Sequence, residues 1–229
     1  MSPSWMLGSA FSMLLSTIVA LDFPAYPGLR LNQSRAGVLE VAFNNPPVNV
    51  WGLETIDGLT DIVERLRNDT DTKVVLFTSD IAGFFVNHLD LLITPFGAGR
   101  SNFLPRLIGR GRAMEYILSG NDIGAVEAAE IGWINKAFEF TPEMYSHIDA
   151  LISRFVLFSL PAIGLAKQSI NAATKPTLIE LKADADRFLQ TLSNPDVPVL
   201  IGKALALAQN QTDTFAENFF GEVIPQLYS

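Results

Sequence analysis

The stretch Leu104-Pro-Arg-Leu-Ile-Gly-Arg-Gly-Arg-Ala-Met-Glu-Tyr-Ile-Leu-Ser-Gly120 decides the fold of this chain. It continues directly into Asn121-Asp-Ile-Gly-Ala-Val-Glu-Ala-Ala-Glu-Ile-Gly-Trp-Ile-Asn135. The pattern from Leu104 onward is helical, and Gly132 stands where helices commonly end, at a position that favours a left-handed backbone. This arrangement predicts that the second half of the chain is a set of packed helices.

The residues before this stretch predict a parallel strand–helix–strand crossover. Strands from Leu29 to Asn32 and from Val38 to Phe43 form a hairpin. An amphipathic helix follows from Leu53 to Leu66, because its apolar residues recur at helical spacing. The β-branched run from Lys73 to Thr78 is typical of a buried strand. Two strands joined through a helix are expected to pair in parallel.

The remaining chain predicts three regions. Residues 1–28 are an apolar leader helix and linker, and residues 29–140 are an α/β core in which 134–140 form a strand or an extended arm. Residues 141–229 are a helical, oligomerising region. Proline opens the first two of its helices, at Pro142 and Pro161, since proline suits the first turn.

Composition excludes several classes of function. The 229 residues are 48% hydrophobic and 17% charged, which is typical of a globular chain and not of a disordered one. The net charge of −8 provides no basic stripe, so we expect no nucleic-acid partner. With no cysteine and two histidines, disulfides, thiolate metal sites and multi-histidine metal sites are not expected.

The two ends of the chain bear on its location. The uncharged run from Trp5 to Leu21 fits a buried or interfacial helix, a membrane anchor or a cleaved signal, and membrane contact through this run is one of the alternatives. The last residues, Gln-Leu-Tyr-Ser, are not a peroxisomal tripeptide. We therefore expect a cytoplasmic or membrane-associated protein.

The segment Gly83-Phe-Phe-Val-Asn-His-Leu-Asp90, together with the stretch after Leu104, resembles the enoyl-CoA hydratase/isomerase (crotonase) family. The resemblance implies an α/β, crotonase-like (ClpP/crotonase) spiral of βαβ units with a helical C-terminal half that trimerises. It also implies action on acyl-CoA thioesters in fatty-acid or secondary metabolism. Coenzyme A would then be part of the substrate, and no separate cofactor is expected.

The resemblance assigns roles to the loop after the buried strand. The backbone amide of Val86 would donate to the thioester oxygen, as the first half of an oxyanion hole. His88 would be a general acid or base, or a hydrogen-bond partner of CoA, unless it is a loop histidine without a role. Asp90 fits a helix cap or a loop anchor. The substrate-binding residues implied by the family are Val48, Val50, Phe85, Asn87, Leu89 and Asp90.

An internal deletion interrupts the resemblance between Leu91 and Phe103. Family members carry a second, glycine-rich oxyanion donor and catalytic glutamates there. The segment is too short to supply them, while Glu115, Glu127 and Glu130 fall on segments outside the family's active site. Since loss of one oxyanion donor alone reduces the rate about a hundredfold or more, we expect impaired catalysis. The spiral would also be truncated, leaving the apolar faces of residues 74–77 and of neighbouring helices exposed.

Two functions follow from these observations. The first is an enoyl-CoA hydratase or isomerase with impaired activity. The second is a pseudoenzyme, a truncated or spliced homologue that binds CoA or another protein. Arg106, Arg110 and Arg112 could pair with a phosphate or with structural acids. Lys167 matches a recurrent family position near the C-terminal helices, a half in which relatives can use basic residues for CoA phosphates.

Overall fold

The computed structural model describes residues 21–88, 90 and 100–229. The predicted leader therefore lies almost wholly outside the described residues. The described part contains three strands and ten helices. They are β1 Leu29–Arg35, β2 Val38–Phe43, α1 Leu53–Leu66, β3 Val74–Ser79, α2 Arg100–Ile108, α3 Arg110–Ser119, α4 Ala125–Glu130, α5 Thr141–Phe155, α6 Leu160–Thr174, α7 Leu178–Leu192, α8 Val197–Leu207, α9 Phe215–Asn218 and α10 Phe220–Leu227.

The sheet has the strand order β1-β2-β3. β1 and β2 are antiparallel, whereas β2 and β3 are parallel and are connected through α1. The register runs from Val38 opposite Val74 to Phe43 opposite Ser79. The predicted crossover is confirmed, and the parallel register brings the carboxyl ends of β2 and β3 to the same edge of the sheet.

The hydrophobic core of the sheet half, which comprises β1, β2, β3 and α1, lies between the sheet and α1. Leu39, Val41 and Phe43 alternate along β2 and form a buried cluster with Leu29 and Ile62. Alternation places these β2 residues on one face, because successive side chains of a strand point to opposite sides. Full burial of each such side chain contributes about 1.5–3 kcal/mol relative to exposure. This cluster positions the loops that follow the strands.

Two predicted elements differ from the structure in their extent. β1 continues to Arg35 rather than ending at Asn32, with an irregularity between these two residues. The turn therefore consists of Ala36 and Gly37, and Gly37 has a φ of +72° that favours glycine. Residues 134–140 contain no strand; bends at 134–135 and 139–140 flank a stretch without regular structure. The strand alternative is therefore wrong, because no neighbouring strand among the described residues provides a ladder for this segment.

The helices begin and end largely where the sequence predicted. Pro142 and Pro161 lie in the first turns of α5 and α6. Gly132 follows α4 with a φ of +82°, as expected for a helix-ending glycine. Gly120 ends α3 in the left-handed conformation, and a Cβ there would lie 2.5 Å from Ile224 Cδ1. The two short helices α9 and α10 were not predicted.

Polar contacts fasten the helical half to the sheet. Arg35 Nη1 lies 2.6 Å from Asp149 Oδ1, which joins β1 to α5. Lys73 Nζ donates to the carbonyl oxygen of Val156 at 2.7 Å. Both contacts lie at the end of the sheet where β1 ends and β3 begins.

Apolar surface remains exposed in the described part of the chain. Phe77 of β3 is 46% exposed, and the three residues before it are half-buried. α6 has no buried residue. The expectation of an exposed apolar face on β3 and on neighbouring helices agrees with this distribution.

None of the described helices is long and apolar enough to span a membrane alone. α5 and α6 meet the requirements of length and composition only as a pair bent by 112°. The run from Trp5 to Leu21, which carried the prediction of membrane contact, is described only at its last residue.

Candidate functional site

Two loops leave the carboxyl edge of the sheet side by side. β2 ends at Phe43 and β3 at Ser79, and these residues are paired in the parallel register. In sheets with parallel strands, ligands bind in the crevice beyond the carboxyl ends, where the following loops diverge. The loops at 44–52 and 80–90 therefore form the candidate site, and residues 84–88 are called the site loop below.

Asn49 ties the two loops together from a buried position. It is 1% exposed and has a φ of +54°, a conformation that asparagine tolerates better than most residues. Its Oδ1 accepts a hydrogen bond from Asn45 N at 2.8 Å. Its Nδ2 lies 2.8 Å from Ser79 Oγ, and 3.2 and 3.1 Å from the carbonyl oxygens of Phe84 and Phe85. Asn49 thus connects the first loop to the end of β3 and to the site loop.

Backbone hydrogen bonds fix the far end of the site loop. Asn87 N donates to the carbonyl oxygen of Asn49 at 3.3 Å. Trp51 N donates to His88 O, and Asp90 N donates to Trp51 O, both at 2.9 Å. The site loop is therefore held on both sides of its central residue.

That central residue is Val86, whose amide is the predicted donor to a thioester oxygen. Its side chain is half-buried and packs against the core cluster of β2 and α1. Within the described residues, Val86 N donates no hydrogen bond to a backbone carbonyl oxygen. An amide held in place by its neighbours can donate to a ligand without reorganisation.

Aromatic rings surround the start of the site loop. Phe43 contacts Trp51 at 5.4 Å, Phe85 at 5.4 Å in an edge-to-face arrangement, and Phe77 at 6.0 Å in a stacked one. Phe85 is 55% exposed. The buried Nε1 of Trp51 has no hydrogen-bond partner in the described part of the chain. Exposed aromatic surface beside a backbone donor can contact both the apolar and the polar part of a ligand.

A buried carboxylate from the other end of the chain completes the site. Glu217 of α9 has a side chain that is 3% exposed. Its Oε2 accepts a hydrogen bond from Asn87 Nδ2 at 2.5 Å and lies 2.8 Å from His88 Nε2. Burying a carboxylate is costly unless hydrogen bonds compensate it, and the site loop supplies two. Sequence analysis had not assigned Glu217 a role.

The segment that carries Glu217 makes a further contact to this region. Gln211 Nε2 donates to Asp90 Oδ1 at 3.1 Å. Gln209, Asn210 and Gln211 all have positive φ values, between 46° and 62°. Consecutive left-handed residues other than glycine are unusual, and such conformations persist only where surrounding contacts enforce them. Thr214 then caps the N-terminus of α9, where its Oγ1 accepts a hydrogen bond from Glu217 N at 3.4 Å.

Metal binding has no obvious place in the described residues. No group of three or more histidine, aspartate or glutamate side chains there is arranged to hold a metal ion.

A basic groove lies away from the site loop, between α2 and α6. Arg106 forms an ion pair with Glu180 at 2.6 Å, which agrees with structural pairing of this arginine. Hydrogen bonds from Thr177, together with Arg106, lower the pKa of Glu180. The groove has a volume of about 410 Å³. Its lining includes Arg106, Lys167 and Lys175.

Comparison with known proteins finds relatives that match about half of this chain. No protein-family model matches it. Over 101 residues, or 44% of this chain, it is 32% identical to the probable mitochondrial enoyl-CoA hydratase of Dictyostelium discoideum. Over 117 residues, or 51% of the chain, it is 30% identical to a probable enoyl-CoA hydratase of Rhizobium meliloti. The matches cover 36% and 45% of these relatives' own lengths.

Solved structures show the same fold over most of the chain. An inferred enoyl-CoA hydratase from Streptomyces avermitilis superimposes with a TM-score of 0.82 at 23% identity, covering 90% of this chain and 99% of that one. This chain has the crotonase fold. The enoyl-CoA hydratase of Bacillus anthracis superimposes with a TM-score of 0.60 at 17% identity, covering 83% of this chain and 99% of that one.

The predicted crotonase-like α/β fold is thus confirmed. Four of the predicted site residues, Phe85, Val86, Asn87 and His88, lie together in the site loop, and Asp90 lies just after it. Leu89 lies outside the described residues. Asp90 accepts the hydrogen bond from Gln211, which agrees with its prediction as a loop anchor.

The structure limits which residues of the first loop can contact a ligand. Val48 is fully buried, so only its backbone is suited to contact a ligand, and Val50 is half-buried. Asn49 between them carries the polar contacts, and sequence analysis had not singled it out. The signal available in the sequence was an asparagine two positions after Pro46-Pro47, because asparagine is enriched at turns and tolerates the left-handed conformation.

Proposed function

We propose that this crotonase-family chain binds acyl-CoA thioesters, or CoA itself, at the carboxyl edge of its sheet. The thioester oxygen would accept a hydrogen bond from Val86 N, and the acyl group would contact the exposed ring of Phe85. The observation that carries this proposal is that hydrogen bonds hold the backbone of the site loop on both sides of Val86. Asn49 holds it before Val86, and Trp51 holds it after.

A fixed amide suits a thioester for an electrostatic reason. When a proton leaves the carbon next to the thioester carbonyl, negative charge develops on the carbonyl oxygen. A donor that already points at this oxygen stabilises the charge without reorganisation. Coenzyme A enters as part of the substrate, and the proposal requires no separate cofactor.

We further propose that hydration of enoyl-CoA is impaired. Water addition requires a group that moves protons as well as oxyanion donors. The resemblance assigns the second donor and the glutamates to a segment for which this chain has only the residues between Leu91 and Phe103, and 91–99 lie outside the described residues. A second function, as a non-catalytic module that binds CoA or protein, is supported by the exposed apolar residues of α6.

Assembly with copies of the chain belongs to the same proposal. The family resemblance implies a trimer, and the apolar exposure of α6 is the kind of surface that a partner covers. We propose that residues 29–140 carry the ligand site and residues 141–229 the assembly surface. The 1–28 leader remains a prediction from sequence.

Binding should be tested with a chromophoric thioester. An aromatic enoyl-CoA such as cinnamoyl-CoA is titrated calorimetrically and in the ultraviolet, and loss of its enoyl absorbance measures hydration. A hydrogen bond to the thioester oxygen polarises the conjugated system, so we expect a red shift on binding and slow or absent turnover. Val86→Pro removes the amide hydrogen, whereas Val86→Ala retains it.

Comparison of the two variants distinguishes the contribution of the Val86 amide hydrogen from that of the Val86 side chain. Val86→Pro should abolish the red shift, and any turnover should fall about a hundredfold. Val86→Ala should retain both. Thermal unfolding of both variants identifies a misfolded sample. If the folded wild-type chain binds neither CoA nor the thioester, the proposal is wrong. Protein interaction is then the function that remains.

A further inference from the structure

We infer that Glu217 is the positioning residue of the proposed thioester site, acting through Asn87 and His88. This inference rests on the proposed function, since it concerns the loop that would bind the thioester. It rests on contacts within the structure and not on the two quoted motifs, which lie between residues 83 and 135. The contact joins residues separated by 129 and 130 positions in the chain.

The arrangement of donors around Glu217 is specific. A single oxygen, Oε2, receives both the amide of Asn87 and the ring nitrogen of His88. Hydrogen bonds to an ionised acceptor are stronger than neutral ones, particularly where water is excluded. Glu217 therefore fixes two adjacent side chains that directly follow the Val86 amide.

The carboxylate also determines how His88 presents its ring. An ionised carboxylate only accepts hydrogen bonds, so Nε2 must carry a proton when it contacts Glu217. In the neutral ring, Nδ1 is then the acceptor nitrogen. Because the Glu217 side chain is almost fully buried while that of His88 is 30% exposed, the imidazole is the member of the pair that a ligand can reach.

The strained connection before α9 explains how Glu217 reaches the site loop. Three successive residues, from Gln209 to Gln211, have left-handed backbone conformations. The last of them contacts Asp90, immediately after the site loop. Two separate side-chain contacts, from Gln211 and from Glu217, thus hold one segment of the helical half against the loop of the sheet half.

The test compares Glu217→Gln with Glu222→Gln. Both variants remove one carboxylate from neighbouring short helices, but Glu222 is exposed and lies outside the site. Binding of cinnamoyl-CoA is measured by calorimetry, and the imidazole nitrogens are followed by nuclear magnetic resonance. The chain has two histidines, so His147 is an internal reference.

We expect Glu217→Gln to weaken thioester binding about tenfold, because a charge-assisted contact becomes a neutral one. The nitrogen resonances of His88 should move while those of His147 do not, and Glu222→Gln should change neither. If Glu217→Gln does not fold, Asn87→Ala removes one donor and leaves the carboxylate paired with His88. It should weaken binding in the same direction.

The outcomes separate this inference from the proposed function. Wild-type binding by a folded Glu217→Gln variant, with His88 resonances unchanged, would overturn the role of Glu217 and leave the proposed function standing. Absence of thioester binding in the wild-type chain would overturn both. A His88 shift in that second case would mark a purely structural contact.

Discussion

The sheet half and the helical half of this chain bury their apolar residues to different extents. In the sheet half, Leu39, Val41 and Val48 are fully buried. In the helical half, α6 has no buried residue, and Leu165 and Ile170 are 65% and 64% exposed. The sheet half therefore contains its own core, whereas the helical half leaves apolar surface that no described residue covers.

The exposed residues of the helical half lie on consecutive elements. They occur just after α5, along α6 and at the start of α7. Monomeric proteins rarely expose large contiguous apolar patches, and such patches usually mark interaction surfaces. On our proposal, further copies of the chain cover this surface. Its members include Leu157, Phe158, Leu165, Ile170, Leu178 and Ile179.

The two halves meet at the candidate site. The sheet half supplies the site loop and its fixed amide, and the helical half supplies Glu217. Binding of a ligand at Val86 would therefore depend both on the well-buried sheet half and on the less deeply buried helical half. Substitutions in the two halves should therefore have different effects.

Leu39→Ala should destabilise the chain far more than Leu165→Ala. Removing a fully buried leucine leaves a cavity and costs about 2–5 kcal/mol, whereas an exposed leucine contributes within about 0.5 kcal/mol. Chemical denaturation at low protein concentration measures both. Equal losses would show that the helical half has a core as well packed as that of the sheet half.

Ile179→Glu should weaken self-association. This residue is 81% exposed at the start of α7, and a charge placed in an apolar interface costs about 2 kcal/mol or more. Light scattering should show an oligomer for the wild type and smaller species for the variant. Val63→Glu on α1, also an exposed apolar position, is the matched control and should leave the oligomer intact. A monomeric wild-type chain would contradict the proposed assembly.

Tyr26→Phe should cause the smallest loss, about 1 kcal/mol, by removing the hydrogen bond from Tyr26 to Asp61. Burial, together with that bond, raises the pKa of Tyr26 to about 12. A raised tyrosine pKa stabilises the fold fully below the ordinary value near 10. The stabilisation is lost as pH rises from about 10 to about 12.

Ultraviolet titration checks the assignment of this tyrosine. The wild-type chain should contain a tyrosinate that forms near pH 12, and the Tyr26→Phe variant should lack it. The hydrogen bond to Glu127 also raises the pKa of Tyr116, so Tyr116→Phe is the control. A wild-type titration that Tyr26→Phe leaves unaltered would contradict the assignment.

Local sequence patterns predicted the elements that have strong periodicity. The bounds of α1 and β2 agree with the prediction at both ends, because helical spacing and alternation are evident within each segment. β1 was predicted too short, since its polar second half lacks the apolar alternation of a strand. α9 and α10 were missed because they are short and lack a long periodic run.

The candidate site was only partly predictable for a related reason. The resemblance identified the loop that contains Val86 and His88. Glu217 gave no comparable signal, because its partners are about 130 positions away in sequence. The one local indication was an acidic residue within the apolar run Phe215-Ala-Glu-Asn-Phe-Phe220, where a charge requires a partner.

The sequence by itself determined the crossover, the helical second half and the resemblance to the crotonase family. These depend on local periodicity and on contiguous motifs, which can be read along the chain. Only the tertiary structure decided which loops meet at the sheet edge, that Asn49 joins them and that Glu217 closes the site. Such contacts depend on how distant segments pack. A buried polar group needs a hydrogen-bond partner, and the fold determines which partner lies near it.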